Sequence, residues 1–223
     1  MKKQIGIEIV CTGNGGRSPM GETLGKEDVL DRGLEDSVKI YSSGSAVDDV
    51  MNLRFPMTEL IQYIEIGLRS GTYQGKALAI AEHVVRNKDE IAHSADQGDA
   101  KSKKMIGYCM NYLMADEVAK RNMVLLEEGL VPEGHFHRQT AAMPGVDLVL
   151  TMKESNAKKV KEIYAGNGLE PKPIIVPICE YAGLEGAISD PFGREIQFWR
   201  DTRDLIGNAV KKSIDRAVQE YLK

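Results

Sequence analysis

The chain alternates short apolar runs with longer segments whose apolar residues recur at helical spacing. Residues 5–10 form a β-branched run ending at Cys11, which reads as a first strand. Glycines at 13, 15 and 16 then precede Ser18, Pro19 and a helical stretch, giving the order strand, tight loop, helix. Residues 38–42, 147–152 and 174–178 are further short apolar runs bounded by Gly, Pro or charged residues, and they predict three more strands. Apolar residues recur at helical spacing in residues 153–164 and 194–222, in the latter notably Ile196, Trp199, Leu205, Val210, Ile214, Ala217 and Val218. Strands alternating with helices predict an α/β fold built on a parallel, doubly wound sheet.

Residues 52–119 break this rhythm. They separate the second and third predicted strands and hold several helical patterns, at 57–68, 77–85 and 105–113, without an obvious strand. With no repeat and no low-complexity tract, the segment reads as a folded helical insertion in a domain made of residues 1–51 and 120–223. A dimer interface or a lid over a pocket are the two roles open to it. Lys101, Lys103 and Lys104 follow a polar run and read as a solvated loop.

Composition narrows the classes of function. Net charge is only −4, with 29 Lys and Arg scattered among 33 Asp and Glu, so no broad basic face is available for nucleic acid. No window approaches the ~18 continuous apolar residues of a membrane span. Three isolated cysteines make no disulfide framework, and the expected setting is a reducing cytoplasm in which a free thiolate persists.

The chemistry concentrates in the run Cys11-Thr12-Gly13-Asn14-Gly15-Gly16-Arg17-Ser18, which puts a thiol and a guanidinium at the two ends of one tight turn. Successive backbone N–H groups in such a turn converge on a tetrahedral anion, and glycines relieve the clashes that positive φ would otherwise cause. Asn14 tolerates the same angles. The following helix aims its free N–H groups and positive dipole end at that spot, which favours the thiolate, the reactive form of cysteine. Arg17 can grip two phosphoryl oxygens through its planar fork. Cys109 and Cys179 lack such a setting and read as buried small hydrophobes. Asp190, before Pro191, is either a plain turn residue or the proton donor that a departing group requires. His135 and His137 have no companion ligands, so no metal is expected, and no cofactor.

The segment from Val10 to Glu22, VCTGNGGRSPMGE, resembles the signature of the low-molecular-weight protein tyrosine phosphatases. Four more stretches are similar in order: Ser42-Ser43-Gly44-Ser45, the HFHRQ of residues 135–139, residues 147–156, and Ser189-Asp190-Pro191-Phe192-Gly193. The resemblance implies a four-stranded parallel sheet and a phosphocysteine mechanism. In it Cys11 is nucleophile, Arg17 and residues 12–18 (Thr12, Gly13, Asn14, Gly15, Gly16 and Ser18) bind phosphate, and Asp190 is general acid. It also implies loop support from Asn14, Ser18, Ser42 and His135.

The implied substrate is a phosphorylated protein or a small phosphomonoester, phosphotyrosine first. The tail after Asp190 looks closer to bacterial members, which include protein-arginine phosphatases, so phosphoarginine is the alternative. Gly15 stands where the arginine phosphatases carry threonine, and Gly16 where many members carry a second cysteine. An arsenate reductase would need a close pair of downstream cysteines, which Cys109 and Cys179 are not. A non-catalytic phosphate-binding module is the reading from a different class.

Overall fold

The computed structural model describes residues 4–52, 54–132 and 137–222. Four strands, β1 (Ile5–Cys11), β2 (Val38–Gly44), β3 (Leu148–Thr151) and β4 (Ile174–Pro177), form one parallel sheet in the order β2-β1-β3-β4. Strand β1 is central, and its register pairs Cys11 with Gly44 of β2. Both faces of the sheet are covered, as a parallel sheet requires. Ile5, Ile7 and Ile9 alternate into a core shared with α1 (Arg17–Asp31) and the long α9 (Ile196–Tyr221). Val10 and Val149 face the opposite layer, where Val160 and Tyr164 of α7 (Glu154–Ala165) complete a smaller core.

Glu8 points into that second layer and is fully buried, with the Tyr164 hydroxyl donating to its Oε2 at 3.3 Å. Burial raises its pKa above the ordinary carboxylate value, so this strand carries an acid that favours its neutral form.

Between β2 and β3 run α2 (Val47–Met51), α3 (Met57–Arg69), α4 (Gly75–Arg86), α5 (Lys88–Asp96) and α6 (Ala100–Leu126). Helices α3 to α6 enclose an apolar core of their own, centred on Leu60, Ile64, Ala81, Ile106 and Leu113. Helix α6 has 27 residues and is therefore about 40 Å long. Its first half packs in that core, while Val124 and Leu125 at its far end belong to the core against the sheet. The lysines at 101, 103 and 104 are exposed, but they lie in the first turns of α6 and not in a loop. Asp99 caps that helix, its Oδ2 accepting from Ser102 N at 2.7 Å, a local signal of the kind that ends a polar loop and starts a helix.

After β4 come the four-residue α8 (Ile178–Tyr181) and the segment bearing Asp190 and Pro191, before α9. Among the described residues no helix is long and apolar enough to cross a membrane.

Candidate active site

The site lies at the carboxyl edge of the sheet, where β1 ends and α1 begins. Cys11 is the last residue of β1 and is buried; residues 12–16 turn back sharply, and Arg17 opens α1. Asn14 adopts φ +52°, the left-handed conformation that lets the loop close. The backbone N–H of Asn14 donates to Cys11 Sγ at 3.2 Å, and Ser18 Oγ stands 3.0 Å from the same sulfur. The Ser18 hydroxyl has one proton, and Ser43 O also lies 3.0 Å away, so a negative sulfur draws that proton from the carbonyl.

Asn14 knots the loop to its surroundings. Its Nδ2 donates to Ser18 Oγ at 2.9 Å and to Ser42 Oγ at 3.1 Å, while its Oδ1 accepts from Arg138 N at 3.0 Å. Ser42 in turn donates to Glu22 Oε2. Backbone bonds from Ser45 N to Cys11 O at 2.8 Å and from Ala46 N to Thr12 O at 3.0 Å bring the end of β2 against the loop. Only glycine fits at 44, because a Cβ there would meet Thr12 O at 2.7 Å and Asn14 N at 2.8 Å.

Of the HFHRQ stretch, His135 lies outside the described residues. His137 of the same stretch meets the loop, its Nδ1 donating to Gly13 O at 2.8 Å.

Arg17 is buried, with one guanidinium nitrogen donating to Ile188 O at 3.0 Å and the other paired with Asp190 Oδ2. Asp190 Oδ1 accepts from Phe192 N at 3.3 Å, a local turn bond that fixes the carboxylate. Thiol, guanidinium and carboxyl line one cavity of about 290 Å³ with Thr12 and Gly13. Beyond them the wall is aromatic: Phe55, Tyr63 and Phe192, the last two in edge-to-face contact at 5.4 Å.

Two residues escaped the reading of the sequence. Both come from α6, one turn apart. Arg121 is buried and donates to Gly15 O at 2.9 Å, holding the loop from its outer side. Glu117 lines the cavity with its carboxyl against the glycine pair. A Cβ at Gly15 would lie 2.4 Å from Glu117 Oε2, and one at Gly16 would lie 2.7 Å both from Glu117 Oε1 and from Trp199 Cη2. Glycine at 16, where a second cysteine is common in the family it resembles, therefore has a local reason: the buried Trp199 ring and Glu117 fill that space.

Burial, then the charge of Asp190, pushes Glu117 up to about 8, against the opposing pull of Arg17 and Arg121. The Glu117 and Arg121 spacing of four was the available signal, since it sets two charges on one helical face in a stretch otherwise rich in apolar residues.

The helices between β2 and β3 also hold the segment bearing Asp190. Besides the Tyr63–Phe192 contact, Ser70 Oγ donates to Gly193 O, and Lys120 Nζ donates to Arg194 O at 2.7 Å.

A thiol and a guanidinium bracketing a ring of amides, with a carboxyl opposite, define a class: proteins that bind a phosphoryl group beside a nucleophilic cysteine. Residues 6–71 match the family model described as Low molecular weight phosphotyrosine protein phosphatase. That match runs from β1 through the Cys11 loop, α1 and β2 to the end of α3.

No curated protein sequence matches the chain. Solved structures do match in fold. A YwlE mutant from Bacillus subtilis aligns at TM-score 0.58 and 20% identity, over 97% of this chain and 100% of that one. YwlE arginine phosphatase with a phosphorylated active-site serine aligns at 0.58 and 19%, over 97% of each chain. A low molecular weight protein tyrosine phosphatase from T. tengcongensis aligns at 0.58 and 19%, over 96% and 99%.

Proposed function

We propose that the chain is a cysteine-dependent phosphatase that dephosphorylates protein side chains or small phosphomonoesters through a phosphocysteine. The observation that carries this reading is the sulfur of Cys11, which receives N–H and O–H bonds inside a loop whose cavity also contains Arg17 and Asp190.

In the first step Cys11 attacks phosphorus in line, while loop amides and Arg17 hold the equatorial oxygens and Asp190 protonates the departing atom. Arg17 now pairs with Asp190, so phosphoryl oxygens compete with that carboxylate for the guanidinium. Transfer of Arg17 to phosphate frees Asp190 to carry the proton. In the second step Asp190 takes a proton from water as the water attacks the phosphocysteine, and the Ser18 hydroxyl stabilises the returning thiolate.

The rings of Phe55, Tyr63 and Phe192 suit a flat leaving group, either the phenol of phosphotyrosine or the guanidinium of phosphoarginine. Residues 52–119 we take as an insertion in a phosphatase domain of 1–51 and 120–223, a division supported by the separate apolar core of α3 to α6. Against an arsenate reductase, Cys109 and Cys179 are free thiols buried in different cores.

The test is hydrolysis of an aryl phosphate by wild type and by Cys11→Ser. Turnover by the first and none by the second supports the reading; phosphopeptide binding without turnover by wild type replaces it with a binding module.

A further inference from the structure

We propose that Glu117, brought by α6 to the leaving-group side of the phosphate loop, is a specificity-determining residue that favours a phosphorylated guanidinium, as in phosphoarginine, over an aryl phosphate. The inference rests on the cysteine-phosphatase reading above and goes beyond it by assigning a role to the inserted helices.

The geometry is specific. The carboxyl of Glu117 lies against Gly15 and Gly16, where any side chain on the loop would collide with it. It shares a cavity with Cys11, Arg17 and Asp190, so a group leaving the phosphoryl centre passes beside it.

Its neighbours leave it uncommitted. Arg17 is engaged by Ile188 O and Asp190, and Arg121 by Gly15 O and Asn122 Oδ1. Among the described residues the Glu117 carboxyl has no hydrogen bond and no ion pair within contact distance. The carboxyl is half-buried and faces the cavity, so a ligand that displaces its water leaves it unsatisfied unless that ligand supplies N–H groups and positive charge. A phosphoryl dianion cannot do so, and neither can an aryl ring. A guanidinium can, and the faces of Tyr63 and Phe192 in the same cavity suit a flat cation.

The charged and titratable groups facing Glu117 are Asp190, Arg17, Arg121 and Asp116, with Tyr63 across the cavity. Burial and Asp190 hold it near 8, so a neighbouring guanidinium pulls it toward the ionised form.

The Cys11 Sγ–P bond forms as the P–N bond breaks, its electron pair goes to nitrogen, and nitrogen takes the proton of Asp190, releasing a guanidinium. Water then cleaves S–P, returning a proton to Asp190 and giving inorganic phosphate. Glu117 stays bonded to the terminal N–H groups and takes no part in the transfer.

The test compares kcat/KM for phosphoarginine and phosphotyrosine in one peptide sequence, using wild type, Glu117→Gln and Glu117→Ala. We expect the ratio of arginine to tyrosine to fall about ten- to hundredfold in both variants, the size of one lost hydrogen bond to a charged group. The ratio should also climb with pH toward 8 in wild type and stay flat in Glu117→Gln. An unchanged ratio, or equal loss on both substrates, overturns the assignment. If wild type turns over neither peptide nor an aryl phosphate, the phosphatase reading itself fails. If it uses Cys11 on aryl phosphate while Glu117→Gln leaves the ratio unmoved, this inference alone fails.

Discussion

Among single residues, Cys11, Arg17 and Asp190 share one cavity, with Arg17 and Asp190 paired to each other. Removing the Asp190 carboxyl takes away the proposed proton donor but also releases Arg17, the residue it now holds. Asp190→Ala should therefore lower kcat about 10²- to 10⁴-fold, while inorganic phosphate inhibits at the same concentration or a lower one. Weaker phosphate inhibition would show that Asp190 positions Arg17 rather than restrains it.

Glu117 gives a pH signature. Its pKa when folded, about 8, exceeds the ordinary 4.5, so the folded chain holds a proton that the unfolded chain releases. Stability from this group is greatest below about 4.5 and declines as pH rises through about 8, and Glu117→Gln should flatten that part of a urea-midpoint profile. A parallel profile would refute the assignment.

The glycine pair separates two kinds of crowding. Gly16→Ala forces a Cβ onto the buried ring of Trp199, and a stability loss of about 1–3 kcal/mol in urea melts is expected. Gly15→Ala meets only the flexible end of Glu117 and should cost less. With glycine at 16, the loop itself offers an oxidised Cys11 no neighbouring thiol to resolve it. Peroxide inactivation should pass progressively beyond rescue by dithiothreitol; full recovery at every exposure would contradict this.

At the scale of elements, α6 does two jobs in one length of helix. Its first half fills the core of α3 to α6, and its second half presents Glu117 and Arg121 to the phosphate loop before burying Val124 and Leu125 against α9 and the sheet. Arg121→Met keeps the helix but leaves Gly15 O without its buried donor. We expect kcat/KM on an aryl phosphate to drop about tenfold with far-ultraviolet circular dichroism unchanged, in line with one charge-assisted bond. Unaltered activity would mean that the loop keeps its shape without α6.

What could be read in advance follows the same division. β1, the loop and α1 are contiguous, so local spacing and glycine content predict them together. The four strands likewise announce themselves as short apolar runs. Glu117 and Arg121 reach the loop across about a hundred residues of sequence, and no local pattern says which strand end a helix will cover. His137 meets the loop from a stretch outside the regular elements, where no helical or strand period announces which side chain points inward.

For the whole molecule, the inserted helices are tied to both halves of the site. They touch the phosphate loop through α6, and the segment bearing Asp190 through Tyr63, Ser70 and Lys120. Cutting out residues 52–119 would remove most of α6 and uncover the core that the remainder helps to close. That deletion should yield aggregated or inactive protein rather than a smaller active enzyme.

The central claim is that Cys11 becomes covalently phosphorylated. Acid quenching of Asp190→Ala during turnover of an aryl phosphate, followed by peptide mass analysis, tests it most directly. The account predicts one added phosphoryl group on the peptide containing Cys11, lost when Cys11 is replaced by alanine. Turnover with that peptide unmodified at every time point, or a phosphoryl group found on another residue, would contradict it.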